Sequence, residues 1–171
     1  HINSVIKLFL IKSVYFKVIS IVLYRPEIPP NTGNIMRLCS NTGFALHIIK
    51  PTGFPLDDKS LIRAKLDYYS SITPKIYIDF NDFKRQVDLK NVFAITKFGN
   101  QIYSKVKFKR NIFLLFGSET KGLPNNIIEL LSNRSLRVPM VDQSRSINLS
   151  NTVALVAYEA WKQLKFSGAK L

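Results

Sequence analysis

Acidic residues, cysteines and histidines are scarce in this chain of 171 residues, and each scarcity removes a class of protein. With one cysteine, Cys39, no intrachain disulfide can form and no cysteine-only metal site can be built. Cys39 sits in an apolar helical pattern, so a buried structural thiol is expected. The two histidines, His1 and His47, are too few and too far apart for a histidine-rich centre, and no metal site is expected. No stretch approaches the roughly 18 apolar residues that a membrane helix needs, so no membrane partner is expected. Three short signatures are missing as well. There is no GxGxxG after any strand-like run, which argues against an ordinary dinucleotide site, and no GxxxxGK[ST] phosphate loop. No GxSxG elbow is present and His47 occupies a strand-like position, so a Ser-His-Asp hydrolase fits poorly.

The shortage of acid has a positive side. Eleven Asp and Glu stand against 25 Lys and Arg, a formal net charge of +14. That balance favours a polyanionic partner, above all nucleic acid, over the alternative of a merely lysine-rich solvated surface. Lys105, Lys107, Lys109 and Arg110 form one candidate patch, and Arg63 with Lys65 another. At 46% hydrophobic and 12% aromatic residues the chain can bury a substantial core. Its length suits one domain, assigned to residues 17–171. Residues 1–16 (HINSVIKLFLIKSVYF) are expected to be a non-catalytic extension of unknown role.

Apolar runs alternate with helical patterns throughout. Strands are expected over Val18–Tyr24, Ala45–Ile49, Lys75–Ile78, Asn91–Thr96, Ile112–Phe116 and Leu136–Val138. Arg25–Pro30, with three prolines, reads as an irregular loop. A helix then opens on Asn31 as N-cap and closes at Gly43. Further helices are expected over Lys59–Leu66, capped by Asp57 or Asp58, over Asn81–Val87, and over Pro124–Leu131. The pattern is that of an α/β protein with a mostly parallel sheet and helices on both faces.

Three polar clusters fall at strand ends, where open α/β sheets bind ligands. In Asn31-Thr32-Gly33-Asn34-x-x-Arg37, a helix N-terminus offers free N–H groups to an anion, and Arg37 lies one turn beyond Asn34. An ordinary capped helix with a solvated Arg fits equally well. In Phe116-Gly117-Ser118-Glu119-Thr120-Lys121-Gly122, Gly117 would let a ligand approach the backbone and Glu119 sets a carboxylate at the sheet's mouth. A plain strand-to-helix turn, with Gly122 at positive φ, is the simpler alternative. In Val138–Leu164, a loop dense in Ser, Arg and Asn leads into a helix capped by Ser150 or Asn151. Its Ala154, Ala157 and Ala160 are flanked by large apolar residues over much of the circumference. Such a helix needs cover on several sides, either inside a core or from a second subunit.

Taken together, residues 21–44 (IVLYRPEIPPNTGNIMRLCSNTGF), 114–124 (LLFGSETKGLP) and 137–164 (RVPMVDQSRSINLSNTVALVAYEAWKQL) resemble the SPOUT superfamily of RNA methyltransferases. Within it the chain looks like the small tRNA (cytidine/uridine) 2′-O-methyltransferases that modify the wobble nucleotide. The resemblance spans about residues 18–165. It implies a deep trefoil knot in the C-terminal part and a homodimer joined through the C-terminal helix. It also implies a site for S-adenosylmethionine, with S-adenosylhomocysteine as product, and the tRNA anticodon stem-loop as substrate, in the cytoplasm. Carried across by position, Ile95, Thr96, Gly117, Val138, Ser146 and Leu149 would hold the cofactor. Asn34, Arg37, Glu119, Ser146 and Asn148 match the catalytic motifs. Ser118 and Phe98 depart mildly from the family pattern. An aromatic ring stacked on an unpaired base would suit an anticodon loop, although no particular ring stands out. A related enzyme acting on another RNA such as rRNA, and a catalytically silent RNA-binding dimer, are the alternative readings.

Overall fold

A computed structural model describes residues 18–56 and 72–170. The elements in order are β1 (Ile19–Tyr24), α1 (Pro29–Thr42), β2 (Ala45–Ile49), β3 (Lys75–Tyr77), α2 (Phe80–Gln86), β4 (Val92–Ile95), β5 (Gln101–Ile102), β6 (Ile112–Phe116), α3 (Asn125–Leu130), β7 (Ser135–Arg137) and α4 (Leu149–Gln163). The seven strands form one sheet in the order β3-β2-β1-β6-β4-β7-β5, with every pairing parallel. The expected helix over Lys59–Leu66, the Arg63 and Lys65 patch and the 1–16 extension lie outside the described residues.

Side chains alternate across the sheet, so each strand feeds two cores. On one side Ile19, Ile21 and Leu23 of β1 join Ile112, Leu114 and Phe116 of β6 beneath α1 and α4, which contribute Ile35, Met36, Cys39, Val153, Val156 and Ala157. On the other, Val22, Tyr24, Ala94 and Leu115 meet Phe83 of α2 and Ile127 of α3. This two-sided burial explains why β6 reads as an unbroken apolar run and β1 as one interrupted only by the buried Ser20. Cys39 is fully buried in the first core, and desolvation pushes its thiol up to about 12. His47 is buried in β2, where its Nδ1 lies 3.0 Å from the Tyr77 hydroxyl.

Two helix starts differ from expectation. Helix α1 begins at Pro29, with Ile28 as N-cap and no side chain of its own capping it. Proline suits these first positions because its missing N–H needs no partner there. Asn31 is therefore not a cap but a buried residue inside the first turn, and the proline run ends in the helix rather than staying in the loop. Helix α4 is capped by Asn148, whose Oδ1 accepts from the Ser150 and Asn151 amides, not by Ser150 or Asn151. The two-residue strand β5 gave no sequence signal. Gly43 closes α1 as expected, at φ 74°, its N–H donating to the Cys39 carbonyl at 2.9 Å.

Candidate active site

Parallel strands leave their C-terminal ends pointing one way, and the loops leaving β4, β6 and β7 there surround a cavity of about 300 Å³. The first loop is held by the Thr96 amide donating to the Leu136 carbonyl at 2.9 Å and the Gly99 amide to the Thr96 carbonyl at 3.1 Å. Gly99 is packed so tightly that a Cβ there would come within 2.2 Å of the Leu136 carbonyl carbon. The second loop folds back on itself, Ser118 and Gly122 exchanging both backbone bonds, with Gly122 at φ 68°. A Cβ on Gly117 would lie 2.1 Å from the Gly122 carbonyl carbon. The space that Gly117 frees is thus used by the loop's own backbone. The third, residues 138–148, runs without regular structure from β7 to the cap of α4.

Three side chains tie these loops to α1. The Glu119 carboxylate accepts from the Glu27 amide at 2.8 Å, the Ile28 amide at 3.1 Å and Asn31 Nδ2 at 3.1 Å. Asn31 Oδ1 in turn accepts from Asn148 Nδ2 at 2.9 Å. The Asn148 Oδ1 that caps α4 also accepts from the Ser150 hydroxyl at 2.7 Å. A reciprocal clasp runs beside this chain, with the Thr120 hydroxyl donating to Glu27 Oε2 at 2.6 Å. The anion at the start of α1 is therefore supplied from within the protein. With Pro29 and Pro30 lacking N–H and the Asn31 amide bonded to the Ile28 carbonyl, the first turn keeps no free N–H for an external phosphate. That replaces the expectation of an open anion site at this helix end.

Of the residues singled out from sequence, Ile95, Thr96, Gly117, Glu119, Val138, Ser146, Asn148 and Leu149 all line the one cavity. Asn34 and Arg37 do not line it. Both are exposed on the outward side of α1. Asn31, also in the lining, matches an N-cap by local sequence, whereas the residue that performs the task, Glu119, lies far along the chain. The basic segment Lys105–Arg110 leads into the N-terminal end of β6, at the opposite sheet edge, where Arg110 Nη2 donates to the Ser167 hydroxyl at 3.0 Å. Basic residues at the cavity are Lys97 and Lys121. Among the described residues no cluster of His, Cys, Asp or Glu could hold a metal ion, and no helix is long and apolar enough to cross a membrane.

Residues 18–158 match the SpoU rRNA Methylase family. The chain belongs to that family. A relative from Escherichia coli K12, a tRNA (cytidine(34)-2′-O)-methyltransferase, is 50% identical over 154 residues, spanning 90% of this chain and 98% of that protein. A solved RNA methyltransferase structure from Bacillus anthracis superimposes with a TM-score of 0.82 at 42% identity, over 90% of this chain and 98% of that one. A second structure, concerned with 2-OH methylation of C/U34 on tRNA, has a TM-score of 0.80 at 36% identity, over 86% and 96% of the two chains.

Proposed function

We propose that this protein transfers the methyl group of S-adenosylmethionine to the ribose 2′-hydroxyl of the wobble nucleotide, cytidine or uridine 34, in the tRNA anticodon loop. The observation that carries the reading is half-identity, over nearly the whole of both chains, to a relative of that activity. The cavity suits the cofactor's chemistry. Ile95, Val138 and Leu149 offer apolar walls for a flat base, and Thr96 and Ser146 add hydroxyls among the backbone groups of three loops. These residues, with Gly117, would hold it. S-adenosylmethionine supplies, when bound, a methyl group already activated on a sulfonium, and S-adenosylhomocysteine is what remains.

What the chain adds is positioning and charge. A guanidinium offers five donors and no acceptor, so Arg37 is assigned to binding a phosphate and stabilising the developing 2′-alkoxide, with a phosphate oxygen or water accepting the proton. Asn34, one turn earlier, contacts the same RNA. Glu119, Asn31 and Asn148 are positioning residues, because their polar atoms are engaged with one another and with the ends of α1 and α4. Ser146 meets the substrate from the exposed loop.

The working unit is a homodimer joined through α4. Leu155 and Tyr158, three residues apart on that helix, are 44% and 45% exposed, an apolar pair suited to a second copy. A dimer would also supply α1 of one copy to the cavity of the other, which suits the distance of Arg37 from its own cavity lining. The catalytic domain is assigned to residues 17–171 and is read as knotted. Strand β7 lies between β4 and β5, which only residues 96–100 connect, so the chain leaving Leu136 must pass that short loop. Gly99 removes the side chain that would obstruct it. A tRNA substrate sets the work in the cytoplasm.

The deciding experiment is incubation with labelled S-adenosylmethionine and total cellular RNA, followed by mapping of the modified nucleotide. Label at position 34 of tRNA is expected. Label in rRNA alone would overturn the substrate, and absence of cofactor binding would overturn the activity.

A further inference from the structure

Phe98 stands out at the rim of the cavity because the residue is 68% exposed while its backbone is pinned. The Phe98 amide donates to Thr96 Oγ1 at 3.3 Å, and the adjoining Gly99 is packed against the Leu136 backbone. Arg137 Nη1 holds the Gly99 carbonyl at 2.7 Å. A rigid turn therefore holds an aromatic ring out towards water. A single exposed ring is unremarkable in itself. This one has company: Met140, in the same lining, is 38% exposed, and the next residue, Val141, is 81% exposed. The Lys97 ammonium lies 4.9 Å from the centre of the Phe98 ring, and Lys121 also borders the cavity.

We infer that Phe98 is a stacking platform for an unpaired base of the RNA substrate, with Lys97 beside it to meet the neighbouring phosphate. The inference rests on the RNA methyltransferase reading above. Every base has a π-face, and single-stranded RNA is held by aromatic side chains interleaved with cations. A ring and an ammonium on consecutive residues at the edge of a cavity meet both requirements. The ring's exposure sets it apart from the cofactor walls. Ile95 is buried, and Val138 and Leu149 are half-buried. An RNA loop, arriving from solvent, reaches the rim first. A flipped base laid on Phe98 would leave its ribose directed towards the cavity.

The test uses full-length protein carrying Phe98→Ala, Phe98→Leu or Phe98→Tyr. Affinity for an anticodon stem-loop RNA is measured by fluorescence anisotropy, affinity for S-adenosylhomocysteine by calorimetry, and assembly state by sedimentation. Phe98→Ala and Phe98→Leu are expected to weaken RNA binding about fivefold or more, the lower bound for loss of one stacked base. Phe98→Tyr should restore it to within about twofold of wild type by the same stacking argument. Affinity for S-adenosylhomocysteine and sedimentation should not change. Weakened S-adenosylhomocysteine binding with unchanged RNA binding would overturn the inference in favour of contact with the cofactor's adenine. A changed sedimentation coefficient would overturn it in favour of contact with a second copy. Wild-type protein that binds RNA no better than Phe98→Ala removes the platform alone. Wild-type protein that binds no RNA removes the proposed function with it.

Discussion

Glu119 offers the sharpest test of how this site is held. Its carboxylate accepts two backbone amides and one side-chain amide, all from the start of α1. Hydrogen bonds to a charged group contribute ~1.5–3 kcal/mol each, but the Ile28 amide is exposed and water replaces the carboxylate there. The loss in Glu119→Ala is therefore set by the Glu27 amide and by Asn31 Nδ2, which belongs to a buried residue. It comes to about 3 kcal/mol, including the missing helix cap. For a chain of this size that lowers Tm by roughly 6–12 °C. Glu119→Gln keeps the shape but turns one oxygen into a donor. With Oε1 retained for Ile28 and Asn31, the new NH₂ faces the Glu27 amide, donor against donor. The cost should be about 2 kcal/mol, between wild type and alanine. Both variants should lose methyl transfer along with stability, because α1 carries Arg37, and a displacement of ~1 Å can cost ~100-fold in rate. Thermal melts and a single-turnover methylation assay on the same samples decide the matter. A Glu119→Ala protein with unchanged Tm but no activity would refute the positioning role and place the carboxylate on the substrate instead.

Further outcomes follow from the same geometry. Arg37→Lys should lose most methyl transfer while cofactor affinity holds, since an ammonium lacks the planar fork; near-full activity would rule out a specific guanidinium role. Gly99→Ala, whose added carbon would sit 2.2 Å from the Leu136 carbonyl carbon, should destabilise the protein by about 3 kcal/mol in guanidinium titrations and open the cavity's first wall. Cys39, raised from 9.0 to about 12 by burial, should resist thiol reagents at pH 8 until denaturant is added. Being raised, its contribution to stability is full below pH 9.0 and fades as pH climbs towards 12, which alkaline melts can follow. Leu155→Glu on the exposed side of α4 should shift the protein to monomer in analytical ultracentrifugation; an unchanged sedimentation profile would remove that helix from the interface.

Much of the fold was legible because burial leaves a local mark. Ala45–Ile49 and Ile112–Phe116 coincide with their expected ranges, since a strand covered on both faces is apolar at nearly every position, and the one polar residue, His47, is buried with Tyr77 as its partner. The starts of α1 and α4 differ from the local pattern for a different reason. Capping depends on which oxygen reaches the first turn, and for α1 that oxygen belongs to Glu119, invisible to any local pattern. For α4 the loop offered several capping residues in a row, and only geometry selects Asn148. Strand order was equally hidden, because nothing in Leu136 announces that β7 will lie between two strands separated by a five-residue loop. The site itself was read in part. Eight of the ten residues singled out share one cavity, whereas Asn34 and Arg37 stand apart and Asn31, expected as a cap, joins the lining. Motif order identifies the residues, but which side chains touch is fixed only once distant segments meet.

The Glu119 clasp also has a consequence for how a nascent chain matures. Strand β1 and helix α1 emerge early from the ribosome, yet the carboxylate that completes the first turn of α1 lies 91 residues behind the Ile28 amide it binds. Until then Pro29 and Pro30 can begin the turn but nothing fastens it, and the buried polar Asn31 has neither of its partners. The second of those partners, Asn148, is made later still. Local helix and strand formation can proceed during synthesis, but the methyl-transfer site is a late product that needs almost the whole chain. A ribosome that stalls before residue 119 therefore exposes a β1–α1 unit with strongly apolar surfaces and an unfastened end, a natural client for chaperones.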